Sequence, residues 1–475
     1  MSLKKICWCL AMALIGIPDS FGFTVRGKLS PAFLLGMEAS TITLEVQEYE
    51  KNFEVGKFSK LAFTSDVVDG SFEFEIQTES SYCYISFAGL RHGKKPVLKD
   101  AYLIGRSSIV DLLIDTSGLA FSGKDGDLLR CQYEIYNRPL DKNGNSRQDA
   151  FGIARLSSRF ETQNAEVKRI LMPYRERLSA GALRIIEANG YAKIAFDFCI
   201  GAKFFAEKGE DAERVYEAVY HVKKVYVPDT TAVIAKHAFM QSRAIFQLTR
   251  LCLFVKKGMT PKDGNFTTAL FETLKAEYRG ELLDRVLLTC FLDYQYLLAE
   301  DMADKIMPAL SNPKAVLILK RYKKATASGE EAYDFTLTGL NGRPVRLSDL
   351  KGKLLVMHFW FNGCGGCSIL KGQMEPIISR FKDDSRVCFI AVNVDKSADR
   401  WEKGIDQGIY TSNHDINVFT SGMGYDHPLL KHYNFTSFPS MLLIDKSGNL
   451  ISSNPPRPND ESQTRALIQL IESHL

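Results

Sequence analysis

The sequence predicts a multidomain chain: an N-terminal β-sandwich-like domain, a central α-helical region and a C-terminal α/β domain. Three observations carry that reading. Apolar residues alternate with period 2 near the start, long stretches in the middle follow helical spacing, and strands alternate with helices after Tyr333. At 475 residues the chain is long enough for about three domains. It is 45% hydrophobic and 24% charged, a composition of packed cores rather than disorder. Lys and Arg total 60 against 56 Asp and Glu, and that near-balance argues against a nucleic-acid binder, which carries a basic stripe or tail. Ten cysteines are too few for a disulfide scaffold, so any role they have is more selective.

Residues 1–22 read as a signal peptide. Lys4 and Lys5 start it, Ile6 to Ile17 form an apolar run, and Ser20-Phe21-Gly22 puts small residues around a cleavage point before Phe23. The apolar run is too short to span a bilayer, which takes about 20 residues. The mature chain is therefore expected outside the cytoplasm. No lipobox-like cysteine ends the run, so a lipid anchor is disfavoured, and Cys7 and Cys9 leave with the signal.

Residues 23–127 alternate as strands do. Ile42, Leu44 and Val46 face one way against Thr43, Glu45 and Gln47, while Phe72, Phe74 and Ile76 oppose Glu73 and Glu75. Cys83, Ile85 and Phe87 alternate with tyrosines. Turn residues such as Val68-Asp69-Gly70 and Ser117-Gly118 separate these segments, which suggests a small antiparallel sandwich. It holds no catalytic constellation.

Residues 128–328 carry the helical stretches. Asn312-Pro313 supplies an N-cap and a proline at the first helical position, with a helix through Tyr322. Gly280 to Leu298 and Thr230 to Phe254 read as two more. Cys199, Cys252 and Cys290 each sit among apolar neighbours and read as small buried hydrophobes. The Lys-rich, small-residue segment Lys323 to Glu331 reads as a linker into residues 332–475.

The chemistry concentrates in Lys351 to Glu375. Leu354 to Phe361 is an apolar run broken only by His358, the pattern of a strand buried on both faces. Asn362-Gly363 ends it as a turn, and Cys364-Gly365-Gly366-Cys367 opens a helix. A thiolate attacks disulfides, and a helix N-terminus stabilises negative charge. The spacing predicts Cys364 at the exposed helix start, able to attack, and Cys367 one turn further in, able to resolve the mixed disulfide. Half of a zinc site is the competing reading. It would need two further ligands, and His414, His427 and His432 follow some 60 residues later with no partner cysteine pair. Cys388 lies within the apolar strand Val387 to Val392 and reads as core, and Asp395 beyond it as a turn residue.

The segment Phe359-Trp360, a turn, then Cys364-Gly365-Gly366-Cys367 resembles the thioredoxin active-site region. The lead-in Tyr333 to Leu337 and Asn341 to Lys353 is similar to the exported TlpA/ResA-like branch of the redoxin superfamily, as is the closing segment Tyr433 to Gly448. The preceding zones resemble the variable leader found before such domains in Bacteroidota proteins. The resemblance implies a thioredoxin fold over 332–475 and a thiol–disulfide oxidoreductase with catalytic Cys364 and Cys367 as its redox disulfide. It puts the protein in the periplasm or cell envelope. It implies disulfide-containing protein substrates, a membrane thiol–disulfide electron donor, and no cofactor, metal or nucleic acid. Reduction is the expected direction. Pro439 falls where the family carries a cis-proline, and Phe438 before it would offer backbone groups to a substrate strand. Trp360 is expected to shape the groove floor beside the thiols.

Several positions depart from that pattern. Gly363 stands where the residue before the first cysteine is usually Trp, and Gly366 where many members have Pro. Gly372 stands at the helix-kinking proline, with Pro376 four residues later. His358 occupies the place of a buried Asp, where an imidazole either relays the proton of the resolving thiol or is a hydrogen-bonded core residue. Two other functions remain open. A thiol peroxidase would need a Pro-x-x-x-(Thr/Ser)-x-x-Cys arrangement, and His358 to Gly363 fills that approach instead. An envelope binding or scaffolding protein would work through residues 23–330, with an accessory redox domain.

Overall fold

The computed structural model describes residues 22–37, 40–49, 60–88, 90–92, 95–98, 100–116, 118–138, 152–208, 211–260, 263–294 and 302–475. The segment read as a signal peptide lies outside the described residues except for Gly22, which opens the first strand. The described residues fall into two compact units, one up to Ala244 and the other from Ile245 to Leu475.

The first unit begins with strands β1 (Gly22–Leu29), β2 (Thr41–Gln47), β3 (Lys60–Asp66), β4 (Ser71–Gln77), β5 (Tyr82–Ala88), β6 (Tyr102–Gly105), β7 (Ile109–Ile114) and β8 (Leu119–Ser122). They form two four-stranded sheets, ordered β8-β7-β1-β4 and β3-β2-β5-β6. Strands β1 and β7 pair in parallel, so the first sheet is mixed rather than antiparallel throughout. Alternation fixes which face a side chain takes but not the direction of the neighbouring strand. The predicted apolar face is as read, with Ile42, Leu44, Val46, Phe72, Phe74 and Ile76 all buried, but Gln47, expected on the polar face, is buried at the end of β2.

Strand β5 departs from simple alternation, because Tyr84 is buried along with its neighbours. The helices that follow are α1 (Gly126–Tyr136), α2 (Ile153–Leu171), α3 (Ala180–Glu207), α4 (Ala212–Val225), α5 (Ala232–His237) and α6 (Phe239–Lys257), the last continuing past Ala244 into the second unit. The Tyr84 hydroxyl donates to the His237 carbonyl at 2.5 Å and accepts from Asn189 of α3 at 2.6 Å, which satisfies a polar group that burial would otherwise penalise. The same contact bears on a boundary. Residues 230–254 form two helices rather than one, since Ala238 leaves helical geometry just where the His237 carbonyl is committed to Tyr84.

In the second unit, α7 (Phe266–Glu277), α8 (Gly280–Tyr294), α9 (Met302–Ile306) and α10 (Pro313–Thr326) precede the α/β part. The part of the predicted 280–298 helix beyond Tyr294 lies outside the described residues. Asn312 caps α10 by accepting from the Lys314 amide at 3.0 Å, as the Asn-Pro pair predicts. Cys199 and Cys290 are buried, but Cys252 is only half-buried, because its position on α6 is not fully covered. The expected linker is not free. Lys323 to Thr326 finish α10, and Gly329, Glu330 and Ala332 make backbone hydrogen bonds to Gly448 and Leu450.

The α/β part holds β9 (Thr336–Gly339), β10 (Pro344–Arg346), β11 (Leu354–Trp360), β12 (Val387–Asn393), β13 (Asp415–Phe419), β14 (Ser440–Ile444) and β15 (Leu450–Ser452). Its helices are α11 (Gly365–Phe381), α12 (Ala398–Asp406), α13 (Pro428–His432) and α14 (Glu461–Glu472). The strands form one seven-stranded sheet in the order β10-β9-β13-β12-β11-β14-β15. Strand β11 is central, parallel to β12 and antiparallel to β14, and each of its residues is buried. Leu355, Met357 and Phe359 join a core with Ile390, Val392 and Leu442. Leu354 and Val356 pack on the opposite face against Leu370, Met374 and Ile377 of α11 and Leu467 of α14. This two-sided burial is why the run reads as continuous rather than alternating. Cys388 of β12 is buried in the first of these cores, and burial pushes its thiol up from the ordinary range, as suits a packing residue.

Candidate active site

The site lies where β11 ends and α11 begins. The Cys364 amide donates to the Phe361 carbonyl at 3.1 Å, closing a tight turn through Asn362 and Gly363. Gly363 has φ +98°, a conformation that disfavours any side chain. Cys364 is the N-cap of α11, and its sulfur accepts from the Cys367 amide at 3.1 Å. Cys364 and Cys367 form a disulfide with their Cα atoms 5.2 Å apart. The helix continues through Pro376, four residues beyond Gly372.

The cysteine pair is more covered than a helix start suggests. Cys364 is 5% exposed and Cys367 2%. The cover includes the loop before β14, where the Phe438–Pro439 bond is cis. A Cβ on Gly366 would stand 3.0 Å from Pro439 Cδ, so glycine at this position lets the proline close over the pair. The Phe438 ring is half-buried against Phe361 and Tyr425, with ring centroids 6.0 and 5.1 Å away. Access runs through the exposed backbone of Gly363, Gly365 and Gly366.

Beneath the disulfide, Trp360 packs in one cluster with Cys364, Cys367, Trp401, Tyr410 and Phe419. It is fully buried, so it floors the site from inside the core and does not line a groove. Its indole N–H has no hydrogen-bond partner among the described residues, a cost of about 1–3 kcal/mol that the packing must offset. His358 is buried on the same strand, and its Nε2 lies 3.2 Å from the Tyr410 carbonyl. That bond requires Nε2 to carry hydrogen, which leaves Nδ1 of the neutral ring as an acceptor.

Two features had no sequence signature. Tyr410, in the loop after α12, stacks on Trp360 at 4.9 Å and 17°, and its hydroxyl accepts the Gly363 amide at 2.8 Å. Asp395 is more than a turn residue. Its carboxylate accepts the Asn362 amide at 2.8 Å and the Asn393 side chain at 3.0 Å, and pairs with Arg400 at 3.1 Å. Arg400 in turn donates to the Asn362 carbonyl at 2.8 Å. Both features come from segments well downstream of the cysteines and meet them only through the sheet.

Two of the histidines weighed as zinc ligands, His427 and His432, have other duties. His427 caps α13 through Nδ1, and His432 packs on Tyr333. Among the described residues, no group of three or more His, Cys, Asp or Glu side chains is placed to hold a metal ion. No helix among them is long and apolar enough to cross a membrane.

Residues 327–468 match the Redoxin family model. The thiol-disulfide oxidoreductase ResA of Geobacillus kaustophilus is 32% identical over 128 residues, which cover 27% of this chain and 69% of that protein. ResA of Bacillus thuringiensis subsp. konkukian is 28% identical over 123 residues, covering 26% of this chain and 66% of its own length. Among solved structures, the thioredoxin domain of a thiol-disulfide oxidoreductase from Bacteroides vulgatus is 25% identical. That match covers 31% of this chain and 96% of the domain with a TM-score of 0.26.

Proposed function

Because the C-terminal part of this chain belongs to the redoxin-type thiol–disulfide oxidoreductases related to ResA, we propose that the protein reduces protein disulfides in the cell envelope. The observation that carries this reading is the Cys364–Cys367 disulfide at the N-terminus of α11, beside a cis-proline and reached across three glycines. In the reduced state the Cys364 thiolate attacks one sulfur of a substrate disulfide and expels the other as a thiolate. The Cys367 thiolate then attacks Cys364, releasing the second substrate sulfur and closing the disulfide seen here. Two electrons from a membrane-bound dithiol return the enzyme to the dithiol form.

The helix N-terminus favours the Cys364 thiolate, and the Cys367 N–H, shared with the Cys364 carbonyl, already points at the sulfur. Phe438 offers its backbone to an extended substrate strand beside the pair. His358, with Nε2 committed to Tyr410, would relay the proton of Cys367 through Nδ1. A pH–rate profile for His358→Asn that overlays wild type removes this relay. Export rests on the 1–22 leader, and residues 23–330 would recruit or position substrates.

Reduction of an insulin-type disulfide tests the reading directly. Cys364→Ser is expected to abolish turnover, and Cys367→Ser to accumulate the mixed disulfide. Turnover that survives Cys364→Ser overturns the proposal. The reduction potential sets the direction: a value near about −270 mV supports a reductant, and one near about −120 mV an oxidant.

A further inference from the structure

The turn before Cys364 and the first residues of α11 are built from residues that do little to hold themselves in place. Gly363, Gly365 and Gly366 are all exposed, and glycine gives up the most backbone freedom on ordering. The described structure holds the approach to Cys364 by three amide hydrogen bonds. The Asn362 amide goes to Asp395, the Cys364 amide to Phe361, and the Gly363 amide to the Tyr410 hydroxyl. The last is the side-chain anchor nearest in sequence to the attacking sulfur.

Tyr410 is itself held on three sides. It is 4% exposed, its ring lies nearly parallel to the fully buried Trp360, and its carbonyl is tied to His358. Trp360 is backed by Gly404 of α12, where a Cβ would stand only 2.6 Å from the indole. The hydroxyl that receives Gly363 therefore belongs to a stack with no room to shift.

We propose that Tyr410 is a positioning residue for Cys364, acting through the Gly363 amide and mattering most in the dithiol state. In the disulfide state the S–S bond itself keeps the Cys364 sulfur beside the Cys367 amide. Reduction breaks that covalent tie, and the hydrogen bonds to the loop then decide how much of the time the thiolate faces the helix N-terminus. A loosened loop loses part of that alignment and with it part of the thiolate. The titratable groups on the elements around the pair include His358 of β11, the Lys371–Glu375 pair further along α11, Asp395 after β12 with its partner Arg400 of α12, and Tyr425 beside Phe438. Tyr410→Phe leaves all of them in place.

The inference rests on the oxidoreductase reading, and its test has readouts independent of turnover. In the full-length protein, Tyr410→Phe keeps the ring stack and removes the acceptor. Alkylation of reduced Cys364 by iodoacetamide is expected to show a midpoint moved to higher pH, with about two- to tenfold less thiolate below it. The value of kcat/KM for insulin reduction should fall by the same factor, while thermal unfolding stays near wild type. Amide exchange of Gly363, protected in the oxidised wild-type protein, should lose its protection in the variant. A Tyr410→Phe protein with an unchanged alkylation midpoint overturns the proposal. So does an unprotected Gly363 amide in the wild type, a measurement that needs no variant. Wild type inactive on insulin would overturn the oxidoreductase reading instead, with alkylation and exchange still deciding the role of Tyr410.

Discussion

The tightest packing beneath the disulfide makes a sharp prediction at Gly404. Added there, a Cβ would lie 2.6 Å and 2.7 Å from Cζ3 and Cη2 of Trp360. Ordinary carbon contacts fall at about 3.5–4.0 Å. Two effects of Gly404→Ala oppose each other. Alanine in a helix gains up to about 1 kcal/mol over glycine. Overpacking a filled core costs about 1–3 kcal/mol. The upper end applies here, because Trp360 is fully buried and stacked on Tyr410 and has nowhere to turn. The net is a loss of about 2 kcal/mol, and at about 2–4 °C per kcal/mol for a unit of this size the melting temperature should drop by about 4–8 °C. Gly365→Ala is the matched control. Nothing lies within 4 Å of its Cβ position, so relief of unfolded-state entropy should raise stability by about 0.4–1 kcal/mol. Both variants are read by thermal unfolding followed by circular dichroism. A Gly404→Ala protein that melts at or above wild type would refute the packing argument.

Asp284 of α8 is fully buried and accepts from the Ser311 amide, the Ser311 hydroxyl and the Asn312 amide at 2.7–3.1 Å, locking the start of α10. Asp284→Ala should cost about 3 kcal/mol in urea unfolding, against about 1–2 kcal/mol for Asn312→Ala, which loses the cap and the hydrogen bond to Glu281; a smaller loss than that of Asn312→Ala would count against the lock. Burial holds the His427 imidazole below its ordinary value of 6.5, and its unprotonated Nδ1 accepts the Leu429 amide. With the folded value depressed, the unfolded chain binds the extra proton first. The contribution of His427 is therefore fully present above about pH 6.5 and lost as pH falls toward the folded value. A pH series of unfolding midpoints should show a shallower acid decline for His427→Asn, and an identical decline would remove His427 as its source.

Much of the redox motif was legible because its signals are local. An apolar run of strand length, a turn dipeptide and two cysteines one helical turn apart each depend on near neighbours. The strand, the turn and the helix start appear where those residues put them. The helix cap at Asn312 and the alternating faces of β2 and β4 were legible for the same reason. Cys364 was not: an N-cap position reads as exposed, yet the Phe438–Pro439 loop arrives from more than 70 residues away and covers it. The segment 323–331 reads as a linker by composition, and its backbone pairing with Gly448 and Leu450 leaves no compositional trace.

By itself the sequence determined where the two cysteines sit, at a strand–turn–helix junction, since strand periodicity and helix capping act over a few residues. The tertiary structure alone decided what surrounds them. Asp395 on the Asn362 amide, Tyr410 on the Gly363 amide and Trp360 under the disulfide become neighbours only once β12 pairs beside β11 and the α12 segment packs back against Trp360. Hydrogen bonds between such segments depend on that register and have no local pattern to announce them.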